Sequence, residues 1–572
     1  MKKKFRSLLI DIGPGYHLQI RQLHSMIKDK CDSSMLFFDI DKGIDKVGDD
    51  LRYHYTMNYS DFSNTYNIFE NYIKKGNFDL IGISLMSHHW EVYILLSKII
   101  RKVLPKCKII TGGVHAWHID PLGTLEYCDY ICAAEGEELF SELIDRLSAN
   151  ADDSPLRIPG MIEKHNDEVI RTPTKKYMPI DNLPVPTYGD KNTYTIISRQ
   201  VDRPVFLNED PMVESSDQNS GGFIHIGRGC AFTCTFCINS VIENPTARIR
   251  SVDKVISEIK EMLKICKNIK TIFFMDEIFP VRQSFLPEFC KKYKEEIGLP
   301  FMATLYPHML SEEKIKMLKS AGLCEITMGL QSGSERIRSD IYNRKDTNKK
   351  VLEEKTLLAK YNIMISYDII IRNPYETEND LSITLDLIHK FKRPFYLKIY
   401  TLAFYPKHPL TIKALRDKMV DPKEVDATIG YLPVTTPHKV LLKEHYFEKQ
   451  FPVWHRTIRN KMLEGYKKES YYLLISYHGF WYIPQFFLRF LCAQFKKGNQ
   501  KPLYIFSYLL QCFLVMQNIT LFKYFYITLL RLRQRGPVFV IKKIISKFKN
   551  RFIIKHSPQS KEKDKPIDSP IH

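Results

Sequence analysis

Two stretches of this chain alternate short apolar runs with helical patterns, which restricts each to a layered α/β fold. In residues 1–148 the apolar runs are Ser7–Ile12, Ser34–Ile40, Leu80–Leu85, Lys108–Thr111 and Tyr130–Ala133, with helical patterns such as Glu91–Val103 and Glu137–Leu147 between several of them. Strands separated by helices pair in parallel, so this block predicts a doubly wound sheet that takes ligands at its carboxyl edge. Gly112-Gly113 directly after a strand lets a ligand approach the backbone closely, although a Gly-Gly pair alone is a weak signal.

The alternation resumes over 221–415. Strands are expected at Phe223–Ile226, Thr271–Met275, Phe301–Leu305, Glu325–Leu330, Met364–Ile371 and Tyr396–Thr401, and helices at Val252–Ile265, Phe285–Glu296, Glu312–Ala321, Lys349–Tyr361 and Glu378–Phe391. Ser251 starts the first of these helices, and Thr377 with Asp380 has capping-box spacing before the last. Six repeats predict a partial (β/α)6 barrel of the TIM type, with its chemistry where the strands end. Residues 149–220 between the blocks are rich in proline and polar residues. They read as a linker with one small extended piece around Gly160–Val169.

The run Cys230-Ala-Phe-Thr-Cys234-Thr-Phe-Cys237 lies at the carboxyl end of the first barrel strand, after a Gly227-Arg228-Gly229 turn. Spacings of four and three let three thiolates from one loop converge on an iron–sulfur cluster. Such clusters normally take four cysteines; three leave one iron open to a small molecule, which makes the centre catalytic. Structural zinc wants four ligands, usually as two separated pairs, and fits this loop poorly. His225 precedes the turn on an alternating strand, where packing is its ordinary role.

Composition sets the remaining bounds. At 572 residues the chain exceeds one core, and twelve scattered cysteines behind an apolar run that stops at Asp11 point to a reducing cytoplasm. The formal net charge of +19 is concentrated near the end: Ser470–Lys555 carries fourteen Lys and Arg and no acidic residue.

A cysteine loop of this spacing in a six-fold β/α array resembles the radical SAM superfamily. Preceded by this amino-terminal sheet, the chain over residues 5–410 resembles the cobalamin-binding enzymes of that superfamily, whose first domain is flavodoxin- or Rossmann-like. Gly112-Gly113-Val114-His115 is similar to their "GGxH" stretch, and Cys128-Asp129-Tyr130 with Glu135-Gly136-Glu137 to their "DY…GEGE" ending. Phe274-Met-Asp276-Glu277-Ile-Phe279 resembles the acidic end of the second barrel strand. Gly329-Leu-Gln331-Ser332-Gly333-Ser334-Glu335 resembles the "GxESGS" segment near SAM, and Asn373-Pro374-Tyr-Glu376-Thr377 the turn after strand five.

The resemblance implies a 4Fe–4S cluster held by Cys230, Cys234 and Cys237, with S-adenosylmethionine (SAM) chelating the open iron. One electron, from a donor such as flavodoxin or ferredoxin, would release a 5′-deoxyadenosyl radical. Cobalamin on the first domain, near Gly112, Gly113, His115 and Glu135, would deliver a methyl group to an unactivated substrate carbon. Glu277 or Asp276 is placed to accept from the SAM ammonium, or to cap the next helix. Gln331 and Ser332 are placed near the SAM methionine or ribose, and Ser332 equally suits a helix N-cap. Gln331 stands where the family commonly has Glu. The Asp-x-His-x-x-Gly loop that ligates cobalt from below is absent: Gly13 and Tyr16 hold the His and Gly offsets after Asp11.

Beyond 415 no resemblance helps. Ser470–Leu488 and Pro502–Phe522 are uncharged runs of nineteen and twenty-one residues, near spanning length but interrupted by Pro484, Gln485, Gln511, Gln517 and Asn518. Val540–Lys555 has apolar residues at helical offsets with lysines between, the pattern of an interfacial segment on anionic lipid. A helical domain over the barrel mouth and peripheral membrane contact both suit 416–556; nucleic acid suits it least, since long apolar runs do not track phosphates. Residues 557–572 read as a disordered tail. The expected activity is C-methylation of a lipid or secondary-metabolite intermediate, the lipid resting on this tail alone. The alternatives are a radical cyclase or rearrangement enzyme without methyl transfer, and a non-catalytic membrane-associated scaffold. Methylthiolation of RNA or protein goes with a different layout that is not evident in this sequence.

Overall fold

The computed structural model describes residues 4–426, apart from 14–17, 41–42, 48–49, 55–62, 150–153, 175–176, 199–204, 214–220, 243–246 and 392–394. The C-terminal helical region expected over 416–556 lies outside the described residues beyond 426, as do the apolar runs and the tail. Among the described residues no helix is long and apolar enough to cross a membrane.

The first block contributes β1 (Arg6–Ile12), β2 (Asp32–Ile40), β3 (Gly43–Val47), β4 (Asp50–His54), β5 (Leu80–Ser84), β6 (Lys108–Gly112) and β7 (Tyr130–Cys132). β1 pairs in parallel with β2 on one side and β5 on the other. The chain thus reverses direction of travel beside β1, and the reversal opens a crevice at the carboxyl edge. Alternate side chains of β1 serve the two faces. Leu8 and Ile10 join Tyr66, Phe69 and Leu96 from helices Ser63–Gly76 and Trp90–Val103. Leu9 joins Ile20, Ile27, Leu139 and Phe140 from helices Leu18–Ile27 and Gly136–Ser148.

The expected linker is instead largely part of this sheet. β8 (Met161–His165) and β9 (Glu168–Arg171) extend it antiparallel beyond β7. β10 (Thr193–Ser198) runs parallel to β2 at the opposite edge, with β11 (Val205–Leu207) outside it. The nine-stranded order is β11-β10-β2-β1-β5-β6-β7-β8-β9. The correction has a local cause: Asn166 and Asp167 both take positive φ, which gives the two-residue hairpin turn that matches strand twist and divides the single extended piece into two strands.

The second block adds β12 (Gly221–Ile224), β13 (Gly227–Arg228), β14 (Arg248–Ile249), β15 (Thr271–Phe274), β16 (Phe301–Leu305), β17 (Leu323–Gln331), β18 (Met364–Ile371) and β19 (Tyr396–Thr401). Six of these form one parallel sheet in chain order, β12-β15-β16-β17-β18-β19, as a partial barrel requires. The Ser251 side chain accepts from Lys254 N, and Thr377 and Asp380 form a reciprocal capping box. Tyr367 points outward from β18 and stacks on Phe391 at 4.4 Å, so Ser366, Asp368 and Ile370 face the barrel interior.

Candidate active site at the crevice and the cysteine loop

The cysteine loop is fastened before any ligand is considered. Asp276, just past β15, accepts from Ile226 N at 3.0 Å and Gly227 N at 2.6 Å. Burial pushes its carboxyl up to about 7, against the pull of those two amides. Gly227 is required where it stands, because a Cβ there would meet Arg248 O at 2.4 Å. Farther along, Thr235 N donates to Tyr342 O at 3.2 Å, and Asn343 Nδ2 donates to Thr233 Oγ1 at 2.9 Å. Phe232 stacks on Tyr306 with ring centres 4.0 Å apart.

Cys230 and Cys234 are buried, Cys237 is partly so, and all three thiols are free. Burial raises the Cys230 and Cys237 thiols, and each of these feels the charge of Cys234. Among the described residues no three His, Cys, Asp or Glu side chains close on a single ion. A cluster asks for something else: each thiolate takes its own iron, so the sulfurs stand farther apart than around one metal. The donors facing the sulfurs suit that group, since hydrogen bonds to cluster thiolates are part of its ordinary setting. Arg344 Nη1 donates to Cys234 Sγ at 3.7 Å and Asn239 Nδ2 to Cys237 Sγ at 3.7 Å. The thiolate trio fits an iron–sulfur cluster.

Beside the loop a cavity of about 390 Å³ joins the two domains. Leu9, Gly82, Ser84, Gly112 and Gly113 line it from the edge of the first sheet. Glu135 and Glu137 stand at the start of the next helix, and the Gly227-Arg228-Gly229 turn and Glu277 close it from the barrel side. Gly113 has φ +102°, and a Cβ there would lie 2.4 Å from Leu85 O. At Gly112 a Cβ would meet only Cys132 Cβ, at 3.6 Å. The bare backbone thus leaves a cradle that a side chain would fill, and a large cofactor such as cobalamin fits an edge of this kind.

Four of the expected residues, Gly112, Gly113, Glu135 and Glu277, therefore share one cavity. The others are placed differently. His115 is 1 % exposed and does not line it; Nδ1 lies 3.1 Å from Ser87 Oγ, the ring faces Trp90, and burial lowers its pKa to about 4. Asp276 spends both oxygens on the loop amides. Gln331 sits at a register shift between β17 and β18 with φ +68°. Its Nε2 lies 2.5 Å, and Arg344 Nη1 3.9 Å, from where a Cβ on Gly329 would stand, so Gln331, Arg344 and Cys234 form one neighbourhood. Ser332 is buried: it donates to Glu376 Oε1 at 3.1 Å and lies 3.3 Å from Thr384 Oγ1. The N-cap role falls to Ser334, whose Oγ accepts from Ile337 N at 3.4 Å.

Sequence reasoning missed Arg344, Arg228 and Arg248. Arg228 carried a signal, a lone charge between two glycines two residues before Cys230. Arg344 carried none, because its contact with Cys234 spans 110 positions.

Comparison with known proteins agrees with this geometry. The radical SAM superfamily model matches residues 224–388 and the B12 binding domain model matches 43–144. An uncharacterized methyltransferase of Pyrococcus horikoshii is 23% identical over 415 residues, covering 71% of this chain and 83% of that protein. An anaerobic magnesium-protoporphyrin IX monomethyl ester cyclase of Cereibacter sphaeroides is 22% identical over 56% of this chain and half of its own length. Among solved structures, the radical SAM methyltransferase TsrM of Kitasatospora setae superposes with a TM-score of 0.57 at 15% identity, over 72% of this chain and 76% of its own. The cobalamin-dependent SAM radical enzyme OxsB gives 0.53 at 16% identity, over 80% and 62%. The chain thus pairs a B12 binding domain over residues 43–144 with a radical SAM domain over 224–388, the domains whose cofactors are cobalamin for the first and a 4Fe–4S cluster with SAM for the second.

Proposed function

We propose that this enzyme transfers a methyl group, by way of cobalamin, to an unactivated carbon of a small lipid or secondary-metabolite substrate. The observation that carries this reading is the shared cavity: the glycine edge of the first sheet and the turn into the cysteine loop face the same space. When bound, the cluster and SAM supply a hydrogen-abstracting radical and cobalamin supplies the methyl group. The chain's own part is to position and to shield. Cys230, Cys234 and Cys237 hold the cluster, and Arg344 and Asn239 donate to two of those sulfurs. Glu277, on the cavity wall, is the carboxylate placed to accept from an ammonium group such as that of SAM. Gln331 and Arg344 offer donors beside Cys234. Gly112 and Gly113 bring bare backbone to the corrinoid edge. An external one-electron donor such as flavodoxin or ferredoxin completes the system, and peripheral membrane contact through 470–555 would suit a lipid substrate.

A second reading, radical cyclisation without methyl transfer, has one observation in its favour: the likeness to magnesium-protoporphyrin ester cyclases. One experiment separates them. The protein is purified anaerobically with cobalamin supplied, and the bound corrinoid and the SAM products are weighed by mass spectrometry. Methyl transfer gives both 5′-deoxyadenosine and S-adenosylhomocysteine; cyclisation gives the first alone. Cys234→Ala abolishes SAM cleavage under either, whereas Cys266→Ala, which removes a buried thiol that burial has raised to about 11, does not. Retained cleavage in Cys234→Ala overturns the proposal.

A further inference from the structure

The two domains meet across a lattice of four charges. Arg228 and Arg248 are directly opposite each other on the short β13–β14 ribbon, a placement that repels unless carboxylates intervene. They do. Arg228 Nη1 lies 3.0 Å from Glu135 Oε2 and 3.2 Å from Glu137 Oε2, its Nη2 donates to Glu137 Oε1, and Arg248 Nη2 pairs with Glu135 Oε1. The Glu137 side chain is only 8% exposed and the other three are 24–32% exposed, so the lattice is rooted in the interface at Glu137 and part-buried at its other members.

The placement of these residues along the chain gives the lattice its meaning. Glu135 and Glu137 flank Gly136 where β7 of the first sheet gives way to its helix. Arg228 is two residues before Cys230, the first of the three loop cysteines. From below, the barrel holds the same ribbon by Asp276, and by Arg250, which donates to His225 O and pairs with Glu258. The barrel therefore fixes the ribbon's height, and the arginine–glutamate lattice ties it to the other domain at the cavity wall, with Arg248 also donating to Met178 O at 3.4 Å and lying over the Tyr177 ring. Bidentate guanidinium–carboxylate pairs fix orientation as well as distance.

We infer that Arg228, Arg248, Glu135 and Glu137 are positioning residues that set the separation between the crevice and the cluster loop, and hence between the two metal cofactors. This rests on the reading that the crevice holds a corrinoid. Radical transfer between centres tolerates little drift, since reacting groups need near-contact geometry, and a lattice drawn from both domains meets that need.

The test is a distance measurement. Enzyme fully loaded with iron and cobalamin is prepared with a reduced cluster and cob(II)alamin, and their dipolar coupling is read by pulsed electron paramagnetic resonance. Wild type is expected to give one narrow distance distribution. Arg228→Gln and Glu137→Gln are expected to lose it, each giving a broad or displaced distribution, and Arg228→Lys to recover part of the sharpness. Because Glu137 lies in the other domain, its variant decides the matter should Arg228→Gln lose the cluster. Unchanged distributions in fully loaded variants overturn the inference and leave the proposed function standing. A wild-type enzyme that takes up no corrinoid overturns both.

Discussion

Asp276 accepts the backbone N–H of Gly227 at 2.6 Å, and its second oxygen holds Ile226 N at 3.0 Å. A carboxylate at the end of one barrel strand thus fixes the backbone that leads into the cluster ligands on the neighbouring strand. Asp276→Ala strands two buried amides, each costing about 1–3 kcal/mol. The expected result is a lower melting temperature and a clear fall in iron bound per chain after anaerobic reconstitution. Asp276→Asn keeps one acceptor and should fall between. Full iron content in the alanine variant would show that the loop holds itself.

Arg344 donates to Cys234 Sγ and lies over the Tyr306 ring, 4.1 Å from its centre. Hydrogen bonds to cluster sulfurs raise the reduction potential by stabilising the more negative reduced state. Arg344→Met keeps bulk over Tyr306 and removes the donor. A spectroscopic redox titration should find the cluster harder to reduce than in wild type. An unchanged or higher potential would assign Arg344 another task.

Gly113 is the residue at the crevice least able to change. With φ at +102° the backbone is in a region that costs a side-chain-bearing residue roughly 1–3 kcal/mol. The new methyl would also press on Leu85 O, which accepts nothing from it. Gly113→Ala should reduce bound corrinoid per chain while leaving iron content near wild type, because the cysteine loop is held by other residues. Equal losses of both would mean that the whole sheet edge had failed.

Where hydrophobic pattern and chemistry agreed, the fold was readable directly. Phe301–Leu305, Met364–Ile371 and Tyr396–Thr401 are strands at the residues expected, and Val252–Ile265 and Glu312–Ala321 are helices at theirs. The edge strands of the first sheet escaped because they are short and lie among prolines, so turn chemistry at Asn166-Asp167 outweighed periodicity. The site was readable only where residues act together in sequence. The three cysteines and the glycine edge announce themselves, whereas Ser332 and Arg344 take their partners, Glu376 and Cys234, from 44 and 110 positions away. Those pairings depend on how the barrel closes, and no local pattern encodes them.

The Ser332–Glu376 contact leads to a pH dependence. Burial pushes the Glu376 carboxyl up to about 8, although the Ser332 hydroxyl and the Arg336 charge pull it down. In the unfolded chain a glutamate titrates near 4.3. Between those values the folded protein keeps a proton that the unfolded chain gives up, so raising the pH favours unfolding. This stability is fully present below about 4.3 and is lost as pH climbs towards about 8. Glu354, pushed up to about 7 mainly by burial, acts in the same direction. Denaturant unfolding at pH 5.5 and 7.5 should show wild type losing stability across the interval, with Glu376→Gln losing less by up to about 2–3 kcal/mol. The glutamine still accepts from Ser332 and has no proton to release, so a slope equal to that of wild type would mean that Glu376 is ionised in the folded protein.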